Sequence, residues 1–75
     1  MIRVTVKLFA TLQLGRFEVR DEQFGDGVTV HDVMQKYGLG KDQVLIILIN
    51  GWHAAYGTTL ADGDTVALFP PIGGG

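Results

Sequence analysis

Thr29-Val30-His31-Asp32-Val33-Met34-Gln35-Lys36-Tyr37-Gly38 is the stretch on which the fold turns, because the spacing of apolar residues changes there. Val30, Val33, Met34 and Tyr37 recur three or four apart, so one face of an α-helix gathers them. Thr29 suits the N-cap, and Asp32, three residues on, places a negative charge in the first turn, where the helix dipole favours it. Gly38 suits the position just past the helix, which commonly needs a left-handed backbone. The spacing predicts a short amphipathic helix of about two to three turns within residues 29–37. His31 falls on its polar side.

On either side of this stretch the period is that of β-structure. Ile2, Val4, Val6 and Leu8 alternate with Arg3, Thr5, Lys7 and Phe9, the pattern of a half-buried strand. Gly15 marks a turn, and Phe17-Glu18-Val19-Arg20 alternates again, so residues 1–20 read as a β-hairpin. After the helix, Val44 to Ile49 is an unbroken aliphatic run, expected to be a strand buried on much of both faces. Asn50-Gly51 is a strong hairpin-turn signal, with a short strand expected over Trp52 to Ala55. Ala61-Asp62-Gly63-Asp64 is a further turn, and Thr65 to Phe69 the last strand. One amphipathic helix among these strands can cover one face of a four- or five-stranded mixed sheet. The class is α+β, and the order is that of the β-grasp architecture of ubiquitin-like domains.

The 75 residues make one small domain, 47% apolar and 19% charged, which excludes a disordered chain. A net charge of −2 gives no electrostatic case for nucleic acid. All six Lys and Arg lie at or before Lys41, and the only charged side chains beyond it are Asp42, Asp62 and Asp64. The second half therefore suits a basic partner surface. Without cysteine, disulfides, zinc–thiolate sites and a thiol nucleophile are excluded. Val44–Ile49 is too short to span a bilayer, and Arg3 and Lys7 interrupt any leader-like segment. A cytoplasmic protein without a membrane partner is expected.

The sequence given ends Phe69-Pro70-Pro71-Ile72-Gly73-Gly74-Gly75, and the terminal glycine run has no evident role in folding. Glycine buries no side chain and loses more backbone entropy on ordering than other residues. Pro70 and Pro71 fix φ and set the direction in which the chain leaves the domain. The expected division is a β-grasp domain over residues 1–72 and a flexible glycine tail over 73–75, shaped for a narrow channel in another protein. A frayed terminus would also look like this.

The stretch Leu60-Ala61-Asp62-Gly63-Asp64-Thr65-Val66-Ala67-Leu68-Phe69-Pro70-Pro71-Ile72-Gly73-Gly74-Gly75 resembles the C-terminal signature of the small subunit of molybdopterin synthase, a ubiquitin-like sulfur carrier. Val6-Lys7-Leu8-Phe9-Ala10-Thr11-Leu12 resembles that family's first strand, and Ile49-Asn50-Gly51 its central hairpin. Gln13-Leu14-Gly15 departs from it, standing where the family usually carries an arginine-containing helical turn. The resemblance implies that the carboxylate of Gly75, after Gly74, is adenylated by an E1-like adenylating enzyme using ATP. A sulfur donor protein then converts it to a thiocarboxylate, and the large subunit of molybdopterin synthase uses the sulfur to build a dithiolene. No stably bound cofactor is implied. Phe9, Leu60, Phe69, Pro70, Pro71, Ile72 and Gly73 become candidate partner-binding residues.

Parity gives an independent reason for two of these. Phe9 shares the outward face of its strand with Arg3, Thr5 and Lys7, and Phe69 shares an outward face with Ala67. The first and last strands of a β-grasp sheet are neighbours, so the two rings are expected to meet beside the tail. Asp62 and Asp64 read as turn formers, His53 lacks a second metal ligand, and Trp52 reads as a packing or rim residue. Three other readings stay open: a sulfur carrier for thiamine or another sulfur metabolite, a ubiquitin-like modifier joined through Gly75 to a lysine, and a plain interaction module.

Overall fold

The computed structural model describes residues 1–71. Five strands and one α-helix occur among them: β1 (Ile2–Leu8), β2 (Val19–Phe24), α1 (Val30–Lys36), β3 (Ile46–Ile49), β4 (Trp52–His53) and β5 (Thr65–Phe69). The sheet order is β2-β1-β5-β3-β4. β1 and β5 run parallel, and the other neighbours are antiparallel. This is a five-stranded mixed sheet with one helix, the β-grasp architecture.

The helix starts and stops where its sequence dictates. The Thr29 side chain accepts from the Asp32 amide at 3.2 Å, and the Asp32 carboxylate accepts from the Thr29 amide at 3.0 Å, a reciprocal capping box. Those bonds hold the Asp32 carboxyl below its ordinary pKa. At the other end Gly38 takes φ +71°. The Gly38 amide donates to the Gln35 carbonyl and the Leu39 amide to that of Met34, which closes the helix in a Schellman motif. Leu39 is then buried beneath it. Arg16, from the β1–β2 connection, donates through Nε to the Tyr37 carbonyl at 2.8 Å, placing a cation at the negative end of the helix.

Between sheet and helix, Val4, Val6, Leu8, Val66 and Leu68 meet Val30, Val33 and Met34, each of these residues 1% exposed or less. They form the central part of one core cluster, which Leu12, Phe24, Val28, Leu39, Val44, Ile47 and Leu60 complete. The strand parity of β1 and β5 and the helical spacing of α1 thus aim at one another.

The turns are built by side chains as well as by backbone. Asn50 and Gly51 both adopt positive φ, +52° and +86°, as the two-residue β3–β4 hairpin requires. The Asn50 side chain also donates to Asp64 at 2.9 Å and accepts from the Thr65 amide at 3.0 Å, pinning this turn to the start of β5. Asp64 accepts from the Ala61 amide and Asp62 from the Arg3 amide, both at 2.8 Å. Both aspartates are turn formers, as their placement in the sequence indicates.

Three strands differ from expectation. β2 spans Val19–Phe24 rather than Phe17–Arg20, because a 3-10 turn (Ala10–Gln13) and its exit fill the connection after β1. Val44 and Leu45 precede β3 instead of starting it. The Tyr56 hydroxyl lies 2.6 Å from the Val44 carbonyl and 2.9 Å from that of Lys41, holding this approach in a loop. β3 is not buried on both faces: Ile47 is buried, whereas Ile46 and Leu48 are half-buried, since α1 covers only one side of the sheet. β4 keeps only Trp52 and His53 of the expected strand. The expected boundary between domain and tail, and the tail itself, lie outside the described residues.

Glu22 ties β2 to the helix. The Tyr37 hydroxyl donates to one oxygen at 2.9 Å and the Lys36 ammonium to the other at 3.2 Å. These bonds hold the Glu22 carboxyl below its ordinary 4.5, Tyr37 contributing most. Burial, together with this carboxylate, pushes the Tyr37 hydroxyl up. A carboxyl with a depressed folded pKa stabilises the fold above its unfolded pKa, and the contribution is lost as pH falls through the folded value. Tyr37→Phe should therefore be less stable than the parent at pH 7, with the difference shrinking as pH falls below about 4.5. Urea unfolding of both proteins across that range measures it; a pH-independent difference would remove the Tyr37–Glu22 bond as the cause.

Candidate functional site

The sheet face turned away from α1 carries the site. Register fixes its composition, because residues opposite one another in adjacent strands share a face. One row joins Lys7 on β1 to Ala67 on β5, Leu48 on β3 and His53 on β4. The next row, toward the end of β5, pairs Phe69 with Ile46 and brings in Phe9 from beyond β1.

The Phe9 and Phe69 rings stack with centroids 4.2 Å apart and an interplanar angle of 13°. Backbone geometry puts them there. The Phe9 amide donates to the Leu68 carbonyl at 3.2 Å, extending the parallel ladder one residue past β1. Ala10 then takes φ +52° and diverts the chain into the 3-10 turn, whose Leu12 plugs the core. On the other side the amide of Leu45, just before β3, donates to the Phe69 carbonyl at 2.8 Å, fixing the last residue of β5. Phe9 remains 36% exposed and Phe69 is half-buried, so the pair is presented rather than absorbed into the core. Pro70, half-buried, and Pro71, exposed, follow directly.

The structure brings Phe9, Phe69, Pro70 and Pro71 to one end of this face. It does not bring Leu60 there. Leu60 is only 4% exposed and belongs to the core, held by its amide bond to the Val28 carbonyl at 2.9 Å. The expectation that Leu60 extends the surface patch is corrected by this inward anchoring. Ile72, Gly73, Gly74 and Gly75 lie outside the described residues. Sequence reading missed Ile46 and Leu48, which widen the apolar surface. Their signal was the parity of the Val44–Ile49 run, read together with a helix able to cover only one face. Trp52 is 78% exposed on the edge strand, so it does not pack in the domain.

The apolar surface is formed wholly by described residues. No group of three His, Asp or Glu side chains there could hold a metal ion. No described helix is long and apolar enough to cross a membrane. What the geometry can do is dock an apolar surface of another protein.

The ThiS family profile matches residues 6–75, and the chain belongs to that family, the ubiquitin-like sulfur carriers and modifiers. Among solved structures, small archaeal modifier protein 1 from Haloferax volcanii is 27% identical and superposes with a TM-score of 0.75, covering 96% of this chain and 100% of its own. A chain of the complex of subunits 1 and 2 of molybdopterin-converting factor from Helicobacter pylori is 26% identical, with a TM-score of 0.66, covering 99% of this chain and 100% of its own. Urm1 from Trypanosoma brucei, at 18% identity and a TM-score of 0.73, covers 97% of this chain and 95% of its own and shares the fold. No curated protein matches the sequence.

The stacked pair is expected to act as a unit. Aromatic contacts of this kind contribute about 0.5–1.5 kcal/mol beyond area burial. A double-mutant cycle with Phe9→Ala and Phe69→Ala, read by denaturant unfolding, should show coupling of about that size. Strictly additive effects would mean that the rings do not support one another in solution.

Proposed function

We propose that this protein carries sulfur on the carboxyl carbon of Gly75 and serves as the small subunit of a molybdopterin synthase. The observation that carries the proposal is the stacked Phe9–Phe69 pair on the uncovered sheet face, immediately before Pro70-Pro71. The family match running to Gly75 and the likeness to a molybdopterin-converting factor complex support it.

In this reading a Gly75 carboxylate oxygen attacks the α-phosphorus of ATP within an adenylating enzyme, and pyrophosphate leaves. The carboxyl group has a pKa of about 3.3–3.7, so the attacking oxygen is ionised at neutral pH. Sulfide released by a donor protein then attacks the carbonyl carbon of the acyl-adenylate, AMP leaves, and the thioacid formed loses its proton. The product is a thiocarboxylate, which the large synthase subunit draws on to build a dithiolene. This chain supplies docking and delivery. Phe9, Phe69, Ile46 and Leu48 seat the domain on its partner, Pro70 and Pro71 set the exit, and Gly73 and Gly74 pass where a Cβ would obstruct a tunnel. Prepaid orientation of the reacting ends is the main contribution to rate.

A second reading is favoured by the likeness to the archaeal modifier protein. The acyl-adenylate would then lead to an isopeptide bond between Gly75 and a lysine of a target. Supplying the thiocarboxylated chain to a large synthase subunit with its pyranopterin precursor separates the two. Formation of the dithiolene supports the first reading; its absence, with cellular lysines found joined to Gly75 through an isopeptide bond, supports the second.

The upstream step has its own test. Deleting Gly75 draws the carboxylate back by about 3.3–3.6 Å in an extended chain. Because a misplacement of about 1 Å can cost about a hundredfold, the deletion should abolish ATP–pyrophosphate exchange by the adenylating enzyme without unfolding the domain. Phe69→Ala should instead weaken complex formation about tenfold, the size expected from losing one well-seated aromatic contact. Unchanged exchange after the deletion would remove Gly75 as the reactive end.

A further inference from the structure

β2 is an edge of the sheet, paired with β1 on one side and with no strand on the other among the described residues. The ladder shows which of its backbone groups are free. Thr5 and Phe9 donate toward β5, to the carbonyls of Asp64 and Leu68, whereas Leu8 donates to Glu18. Odd-numbered residues of β1 thus turn their backbone toward β5 and even-numbered ones toward β2. In the antiparallel register, Arg20, Glu22 and Phe24 oppose Val6, Val4 and Ile2 and are spent on β1. The amides and carbonyls of Val19, Asp21 and Gln23 point to the open edge. No proline interrupts this strand, and a row of unpaired backbone groups is a template for another strand.

Beside the edge, against the C-terminal end of α1, lies an open groove of about 310 Å³. Arg16, Phe17, Arg20, Lys36 and Tyr37 line it with Gly15 and Gly38, giving three cations and no acid. The cations are held in place. Arg16 bonds the Tyr37 carbonyl at 2.8 Å and reaches that of Gly38 at 3.5 Å, so carbonyls rather than a carboxylate engage it. The Arg20 guanidinium sits 4.4 Å from the centre of the Phe17 ring. Lys36 pairs with Glu22, whose other oxygen is taken by Tyr37. Beyond the far end of β2 the surface changes sign, with Asp26 and Asp32 lining a separate depression.

We propose that the β2 edge and this groove receive an extended acidic peptide segment of a partner protein as a sixth strand. Its backbone pairs with Val19, Asp21 and Gln23. Its acidic side chains lie on the helix side, over Arg20 and Lys36, with Arg16 fixed beside them. The change of sign along the edge sets orientation, the acidic end toward Val19 and away from Asp26. The main chain supplies affinity and the charges select the partner. This edge is remote in the sheet order from β3, so a partner bound here leaves the Phe69–Ile46 end open. The inference does not depend on which chemistry Gly75 performs.

The test uses the full chain, isotope-labelled for NMR, and a terminally blocked peptide about eight residues long, valine–threonine alternation followed by aspartates and glutamates. Saturable binding is expected with Kd of about 10–500 μM, as suits a small interface. The Val19, Asp21 and Gln23 amides should shift and become protected from exchange, while those of Ile46 and Phe69 stay put. Arg20→Glu combined with Lys36→Glu, or lysines replacing the peptide's acids, should raise Kd about tenfold or more. Gln23→Pro should abolish binding, because it removes an outward amide that β1 does not use. Failure to saturate by about 1 mM would overturn the proposal. So would shifts centred on Phe9 and Phe69, equal binding of the lysine peptide, or peptide-free, concentration-dependent protection of β2 that marks a second copy as the occupant.

Discussion

The parallel pairing of β1 with β5 is the constraint on which the rest of this structure depends. It joins the two ends of the described chain at the centre of the sheet, with Thr5 opposite Thr65 and Leu8 opposite Leu68. The chain between those ends must cross one face of the sheet to reach β3, and α1 is the element that does so. The same pairing sets parity on both sides at once. It turns Val4, Val6, Leu8, Val66 and Leu68 toward the helix, and it leaves Phe9 and Phe69 adjacent on the opposite face. Core and candidate site are two consequences of one register, so a slip of one residue would exchange them.

Stability and presentation are divided between the two faces. The helix side holds the buried aliphatic cluster, the capping box and the Tyr37–Glu22–Lys36 bonds. Among the described residues the outer side has no covering element; Ile46 and Leu48 stay half-buried there, and Phe69 is stacked on Phe9 and tied through its carbonyl to Leu45. A small domain can leave such a face open because its core closes without it. That division suits a carrier, which must dock, react at a distance from its core and leave unchanged.

Much of this was legible in the sequence, for local reasons. The shift from a period of two to a helical period located α1, and Thr29, Asp32 and Gly38 marked its ends because caps are made by neighbouring residues. Asn50-Gly51 and the Asp-Gly-Asp turn were equally local. Parity, together with the β-grasp rule that the first and last strands are neighbours, placed Phe9 beside Phe69. What was not legible depends on contacts between distant residues. β2 is an edge strand whose Val-Arg-Asp-Glu-Gln-Phe composition reflects one paired side and helix-facing Glu22, so its alternation is weak. Leu60 is drawn inward by its bond to Val28, beside a bridge between Thr29 and Thr59. Arg16 caps a helix by bonding the carbonyl of Tyr37, 21 residues later. The exposure of Ile46 and Leu48 followed only once the helix was known to lie on one face.

The central claim is that a domain built to hold this register delivers a reactive carboxyl group at Gly75. The intact mass of the protein isolated from its native cell, measured before and after treatment with a thiol-directed alkylating reagent, tests it most directly. The account predicts a population heavier by the replacement of one oxygen by sulfur. In a chain without cysteine, that population alone should take up the alkyl group, and fragmentation should place the group on Gly75. A chain of unmodified mass that takes up no alkyl group, isolated from cells in which the sulfur-donating machinery is active, would contradict it.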